Sequence, residues 1–287
     1  MRFKAIECKI VSVQRPLLIV DGDNLAHRAY HSTPKTVKGE GGQVINAVVG
    51  FVSMLIRVYG EEQPRNAFIA WDTLGVDTYR NGLWPAYQGG RVFDKEIREQ
   101  LDLLPEVCRA FGFGVGKQAG YEADDFMAAA AQAEVAQGGT CLILTTDKDT
   151  YQLASQSVTI LSPRRGTREL DRIGPHQVVE RFGVLPEQVP DFKALAGDSS
   201  DKIPGVRGIG PQAAARLLLQ YGDLDGICEA GAISDTELAM MFREVCRMRP
   251  EVAVELPEDG PDWGSGAAAL RVLGANGAAE RVLQMVG

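Results

Sequence analysis

Nine carboxylates fall in five groups along the first two-thirds of this 287-residue chain: Asp21, Asp72, the run Glu122, Asp124 and Asp125, the pair Asp147 and Asp149, and the pair Asp198 and Asp201. Most stand at the end of an apolar run or at the start of a helical pattern, where a parallel sheet with flanking helices delivers side chains to one edge. Like charges gathered in one crevice repel unless divalent cations neutralise them, and all-oxygen donors suit Mg²⁺ or Mn²⁺ better than zinc. The chemistry such a site offers is two-metal phosphodiester hydrolysis. Taken singly, each acid fits a helix cap or a surface turn equally well; only the set together points to a metal site.

The elements that must position these acids are legible in turn. Residues 17–20 form an all-apolar run suited to a strand buried on both faces, and Asp21-Gly22-Asp23-Asn24 follows as a turn and helix start. Residues 44–59 carry Val48, Phe51, Val52, Leu55 and Ile56 at helical spacing, and a second strand over 67–71 ends at Asp72. A helix is expected over 93–111, and an Ala-rich one runs from the three acids at 122–125 to about residue 137. The helix dipole alone favours acids there; Glu122 and Asp125, three apart, can share a face, while Asp124 points elsewhere unless the turn is irregular there. A third strand over 140–145 precedes Asp147 and Asp149, whose spacing of two lets both reach one cation, and residues 158–161 suit a fourth, followed by a basic turn at 164–168. Strands ending in acids and alternating with helices predict a doubly wound α/β sheet, and a helical texture from about 174 onward. The expected organisation is an N-terminal extension (1–15), an α/β core (16–172) and a helical region (173–287).

Two irregular stretches interrupt this pattern. Residues 73–91 are rich in glycine and aromatics, with Tyr79, Trp84 and Tyr87 interleaved with Arg80 and Arg91. Such a loop can stack unpaired bases and hold phosphates, or it can be a surface loop whose aromatics patch the core. The run from Ile203 to Gly210 holds Gly205, Gly208 and Gly210, so the backbone can approach a phosphate closely at the next helix start; a tight turn between packed helices needs the same residues. Beyond residue 250 the chain is Gly- and Ala-rich and carries little signal.

Composition bounds the alternatives. Apolar residues make up 45% of the chain, ample for a core, while the longest apolar stretch, 44–56, is too short and interrupted to span a bilayer. With no signal-type segment at the N-terminus, the expectation is a cytoplasmic protein with no membrane partner. Cys8, Cys108, Cys141, Cys228 and Cys246 are widely spaced and form neither a disulfide frame nor a zinc knuckle. A net charge of −8 argues against a grip on nucleic acid, although cations in the acid cluster would offset part of it locally.

Three pieces, in order, carry a resemblance: Gly120-Tyr121-Glu122-Ala123-Asp124-Asp125; Asp147-Lys148-Asp149; and Gly197-Asp198 through Asp201 followed by Ile203-Pro204-Gly205-Val206-Arg207-Gly208-Ile209-Gly210. From about residue 17 to 221 the chain resembles the 5′-nucleases, which include the 5′-to-3′ exonuclease domain of bacterial DNA polymerase I, the phage 5′-nucleases and the flap endonucleases. The resemblance implies a PIN-like, mostly parallel sheet with a helical arch over 73–118 and a helix–three-turn–helix element at about 190–221. It implies a first metal cluster of Asp72, Glu122, Asp124 and Asp125, a second of Asp147, Asp149, Asp198 and Asp201, and Asp21 acting through metal-bound water. Arg28 falls where the family meets the scissile region, Arg80 where it contacts a phosphate, and Lys193 on a basic position; Tyr87, Arg91, Gly205, Arg207, Gly208 and Gly210 join the expected DNA contacts. A potassium ion often sits in the Gly-rich turn of the family.

Two departures bear on rate. Gln88 follows Tyr87 where the family commonly has a lysine facing the reacting phosphate, and Gln212 stands where a phosphate-binding lysine is usual; a neutral amide supplies no such charge. The resemblance implies a monomeric, metal-dependent 5′-to-3′ exonuclease and 5′-flap endonuclease of DNA replication, repair or RNA-primer removal. Its expected partner is DNA with a 5′ single-stranded end or flap and adjacent duplex, and with the sequence ending at Gly287 no polymerase domain is expected to be attached. The alternatives are a branched-DNA-binding protein that cuts weakly, and a PIN-like metal-dependent ribonuclease.

Overall fold

A computed structural model describes residues 15–89, 94–164 and 167–285. The expected N-terminal extension lies outside them apart from Arg15, and so do Arg91 and the middle of the basic turn at 165–166.

In chain order, β1 (Leu17–Asp21) leads into α1 (Gly22–Ser32) and α2 (Asn46–Glu62), then β2 (Asn66–Ala70), the short α3 (Tyr79–Leu83), α4 (Lys95–Ala110) and β3 (Gly114–Gly116). There follow α5 (Ala123–Ala136), β4 (Cys141–Leu144), β5 (Val158–Pro163) and β6 (Leu170–Ile173). The rest is helical: α6 (Pro175–Phe182), α7 (Val189–Ala196), α8 (Pro211–Tyr221), α9 (Leu224–Glu229), α10 (Thr236–Cys246), α11 (Trp263–Val272) and α12 (Asn276–Leu283).

The six strands lie in the order β3-β2-β1-β4-β5-β6, all parallel except β6, which runs antiparallel to β5. Strand order reverses at β1, which has β2 on one side and β4 on the other, so the carboxyl ends of these three strands frame a crevice. Strands covered on both faces need no polar alternation. Leu17, Ile19, Phe68 and Ile143 point into a layer built with α5, α7, α8 and α10. Leu18, Val20, Ile69 and Leu142 point into the opposite layer, with α1, α2, α4, α11 and α12.

Three features depart from the sequence reading. The glycines expected only to end a helix make β3: a side chain at Gly114 would meet the Phe68 ring at 2.6 Å, and one at Gly116 the Phe126 ring at 2.7 Å. The chain after the basic turn returns as β6, a strand for which the sequence carried no expectation. The Gly- and Ala-rich tail forms α11 and α12, whose Ala267, Ala278 and Ala279 are buried against α4 and α2. Small residues are what allow the close approach, and Gly266 lies against the Phe111 ring, where a Cβ would fall 2.1 Å from the nearest ring carbon.

Gly266→Ala should therefore overpack this contact and destabilise the protein by about 1–3 kcal/mol in urea denaturation. A change below about 0.5 kcal/mol, the size of an ordinary surface substitution, would mean α11 does not pack on α4 as described.

Candidate active site

The crevice at the strand ends, of about 340 Å³, is lined by Asp21, Asp23, Asp72, Glu122, Asp124 and Asp147, with Asn24, His27 and Gln88 among its other neighbours. Asp21 ends β1 and caps α1, accepting the Asn24 N–H at 3.0 Å and the Thr145 hydroxyl at 2.7 Å. Asp72 follows β2; its Oδ1 accepts the Ala123 N–H at 2.7 Å, and its own N–H donates to Asp23 at 2.7 Å. One carboxylate thus ties the end of β2 to the start of α5.

Glu122 is the N-cap of α5, with an extended backbone (φ −109°, ψ 164°). Because the chain is extended at the cap, the spacing of two governs, and Glu122 and Asp124 both line the crevice. Asp125 turns inward, fully buried, and accepts from Arg80 at 2.8 and 2.9 Å, the Tyr79 hydroxyl at 3.2 Å and the Arg249 N–H at 2.8 Å. Asp124 thus joins Glu122 at the crevice, as an irregular turn allows, whereas Asp125, expected as a metal ligand, is held away from it by Arg80, which corrects that expectation.

Asp147 borders the crevice and also a neighbouring groove that reaches Asp149, Lys193 and Asp198. Its N–H donates to Thr145 at 3.0 Å, and its Oδ1 accepts the Asp149 N–H at 2.8 Å. Asp149 begins a 3₁₀ turn (Asp149–Leu153) and meets Asp198 and Asp201, with one oxygen from each lying within 4.8 Å of the others. The Lys193 ammonium pairs with Asp149 and, at 2.6 Å, with Asp198. Expected as a DNA contact, Lys193 is buried among these acids.

Tyr87 and Gln88 join the two groups. The buried Tyr87 hydroxyl donates to Glu122 at 3.0 Å, and Gln88 Nε2 donates to Tyr87 at 2.8 Å and to Asp201 at 3.2 Å. The aromatics of this segment pack against the protein: Tyr87 is 4% exposed, the half-buried Trp84 packs edge-on against Phe242 and donates to the Lys202 carbonyl, and the Arg249 guanidinium lies 3.8 Å from the centre of the half-buried Tyr79 ring. Arg80, expected to contact a phosphate, is 2% exposed and bound to Asp125, so the expectation is corrected on burial. Arg28 lies at the edge of the strand ends, its Nη2 donating to the Pro163 carbonyl at 3.4 Å.

The Gly-rich turn links α7 to α8. Gly205 is buried, and a Cβ there would meet the Gly197 nitrogen at 2.5 Å, so this glycine serves packing within the turn and not an approach to a phosphate. Gly208 and Gly210 are exposed, with open space where a Cβ would stand, beside the exposed Arg207 and Gln212. Asp23 and His27 also line the crevice and are not among the residues expected from sequence; Asp23 stands two residues after Asp21, the same spacing as Asp147 and Asp149.

Crowding shows in proton affinity. Burial, opposed by hydrogen bonds from Thr145 and Asn24 and aided by the charges of Asp147 and Asp72, pushes Asp21 up to about 7. Burial also raises Asp23, with Asp72 beside it, and Asp124, with Asp147 beside it; burial raises Glu122 despite nearby Arg80. Asp198 goes the other way, to about 2: burial raises it, but hydrogen bonds from Lys193 and Ser200 outweigh that. All-oxygen donors that resist ionisation together fit divalent cations.

Two family models match this chain: one described as 5′-3′ exonuclease, N-terminal resolvase-like domain, over residues 16–183, and one described as 5′-3′ exonuclease, C-terminal SAM fold, over residues 184–259. DNA polymerase I of Mycobacterium leprae (strain TN) is 40% identical over 215 residues, which are 74% of this chain and 24% of the polymerase. The chain thus spans about a quarter of the length of such relatives. Among solved structures, T5 5′-exonuclease with bound zinc superposes with a TM-score of 0.68 at 20% identity, covering 95% of this chain and all of that one. The bacteriophage T5 flap endonuclease in a complex with DNA and metal ions gives 0.64 at 23% identity, covering 94% of this chain and 98% of that one. These likenesses establish the shared fold. Among the described residues, no helix is long and apolar enough to cross a membrane.

The raised acids set a pH dependence. Asp21 binds its proton more tightly in the folded chain than in the unfolded one, so its contribution to stability is full below about pH 4 and is lost as pH rises through about 7. Cations that displace these protons should bind better as pH rises. The rise in melting temperature on adding Mn²⁺ should therefore be larger at pH 8 than at pH 5.5; equal increments would mean that cations do not bind at the raised acids.

Proposed function

This chain belongs to the 5′-3′ exonuclease family, and on that premise we propose that it is a metal-dependent nuclease hydrolysing DNA phosphodiesters at 5′ single-stranded ends and at 5′ flaps adjoining duplex. One placement carries the reading. Two carboxylate groups meet at the switch point of the sheet, and the second runs straight into a turn with exposed glycines, so duplex held at the turn would lay its junction over the acids.

Asp72, Glu122 and Asp124 would hold one cation and Asp149, Asp198 and Asp201 another, with Asp147 between them. Mg²⁺ or Mn²⁺ matches these donors. Divalent cations held there supply Lewis-acid activation of water and charge neutralisation at the scissile phosphate. Asp21, fixed by Thr145 and Asn24, would orient the attacking water. Arg28 would approach the phosphate from the β5 side, while Arg207, Gly208, Gly210 and the N–H groups opening α8 would hold the duplex backbone. A potassium ion in that turn would strengthen the hold. In this reading residues 16–172 form the nuclease core, 73–118 the arch and 173–287 the helical duplex-binding region of a monomeric, cytoplasmic enzyme of replication and repair, with RNA-primer removal among its tasks.

Gln88 favours a second reading, a branched-DNA-binding protein that cuts slowly. Its amide sits at the join of the two acid groups, where a cationic side chain would do more for a reacting phosphate.

Incubation with a labelled 5′-flap duplex in Mg²⁺ or Mn²⁺ should release the flap near the junction. Asp147→Asn should lower that rate about a thousandfold or more with an unchanged circular dichroism spectrum; unchanged turnover would exclude the proposed site. Junction binding without turnover, reversed by Gln88→Lys, would select the second reading.

A further inference from the structure

We propose that Arg80 is a positioning residue, which fixes the acid-bearing start of α5 to the C-terminal end of α10 and does not meet substrate. The inference rests on the nuclease reading for its purpose, though its geometry stands apart from it.

The guanidinium is enclosed. Nη1 and Nη2 donate to the two oxygens of Asp125 at 2.9 and 2.8 Å, Nε donates to the Val245 carbonyl at 3.0 Å, and Nη2 also reaches the Arg247 carbonyl at 3.3 Å. Nη1 lies 3.6 Å from Glu122 as well. At 2% exposure the guanidinium is closed to a phosphate. Asp125 is equally committed: besides Arg80 it takes the Tyr79 hydroxyl and the N–H groups of Arg249 and, at 3.2 Å, Glu122. A buried ion pair offsets its desolvation only when its remaining hydrogen-bonding capacity is met, and here it is.

The pair is wired to the site on both sides of its acids. Asp125 holds the main chain of Glu122, Arg80 stands beside the Glu122 carboxylate, and Asp124 lies between the two anchored residues. The orientation of both crevice acids therefore depends on a fork reaching back to residues 245 and 247. Lysine keeps the charge but cannot make this fork.

Arg80→Lys separates the two roles. A phosphate contact would tolerate it, whereas a positioning fork would not. Mn²⁺ titration by calorimetry should show affinity reduced about tenfold, the scale set by partners that orient metal ligands. Flap-duplex binding in EDTA, with its salt dependence, should stay at the wild-type value. Wild-type Mn²⁺ affinity in Arg80→Lys, or a salt slope lower by about one in Arg80→Gln, would overturn the proposal. Should Arg80→Lys fail to fold, Tyr79→Phe, which removes one hydroxyl from Asp125, should weaken Mn²⁺ about twofold, and an unchanged affinity there would also overturn it. A wild-type protein that binds Mn²⁺ but leaves flap DNA intact would remove the nuclease reading while leaving the titration decisive for Arg80.

Discussion

Like charge crowded at the switch point of a parallel sheet is the constraint around which the structure is arranged. Two carboxylates about 4 Å apart repel by roughly 4 kcal/mol at the effective dielectric of a protein surface, and this chain brings together two groups of them. Backbone N–H groups of Asn24, Ala123 and Asp149 hold individual oxygens in place. Burial raises the proton affinity of Asp21, Asp23, Asp124 and Glu122, and positive side chains are supplied by Lys193 to the second group and Arg80 to the edge of the first. An arrangement that expends so much to keep acids together is one suited to holding divalent cations.

The same constraint bears on the conflict between a net charge of −8 and the DNA partner proposed above. Positive groups divide into those consumed inside the protein and those at its surface. Arg80 and Lys193 belong to the first set; Arg207, beside the open glycines, belongs to the second. A duplex grip built from exposed backbone N–H groups and a few cations would depend less on formal charge than one built on lysine rows.

The fold was legible in the apolar runs: β1, β2 and β4, each leading to an acid, and β5, which leads to a basic turn, all read directly, and with them the parallel sheet they imply. Elements made of small residues did not. A strand of Gly114–Gly116 and helices rich in Gly and Ala owe their existence to what packs on them, Phe68, Phe126 and Phe111, and no local pattern records that. Within the site, the identity of the acids was plain but their facing was not. An extended N-cap put Asp124 toward the crevice and freed Asp125 for Arg80, a choice made by tertiary partners in residues 245–249, more than a hundred positions away. Tyr79, Trp84 and Tyr87 fell the same way, since an aromatic that covers a core and one that stacks on a base look alike in sequence.

The central claim is that the acids form two cation sites at the sheet's switch point. Anomalous scattering from crystals grown with Mn²⁺ tests it most directly. The account predicts one peak among Asp72, Glu122 and Asp124 and another among Asp149, Asp198 and Asp201, with none at Asp125. Absence of both peaks in well-ordered crystals, or a cation bound by Asp125 in place of Arg80, would contradict it.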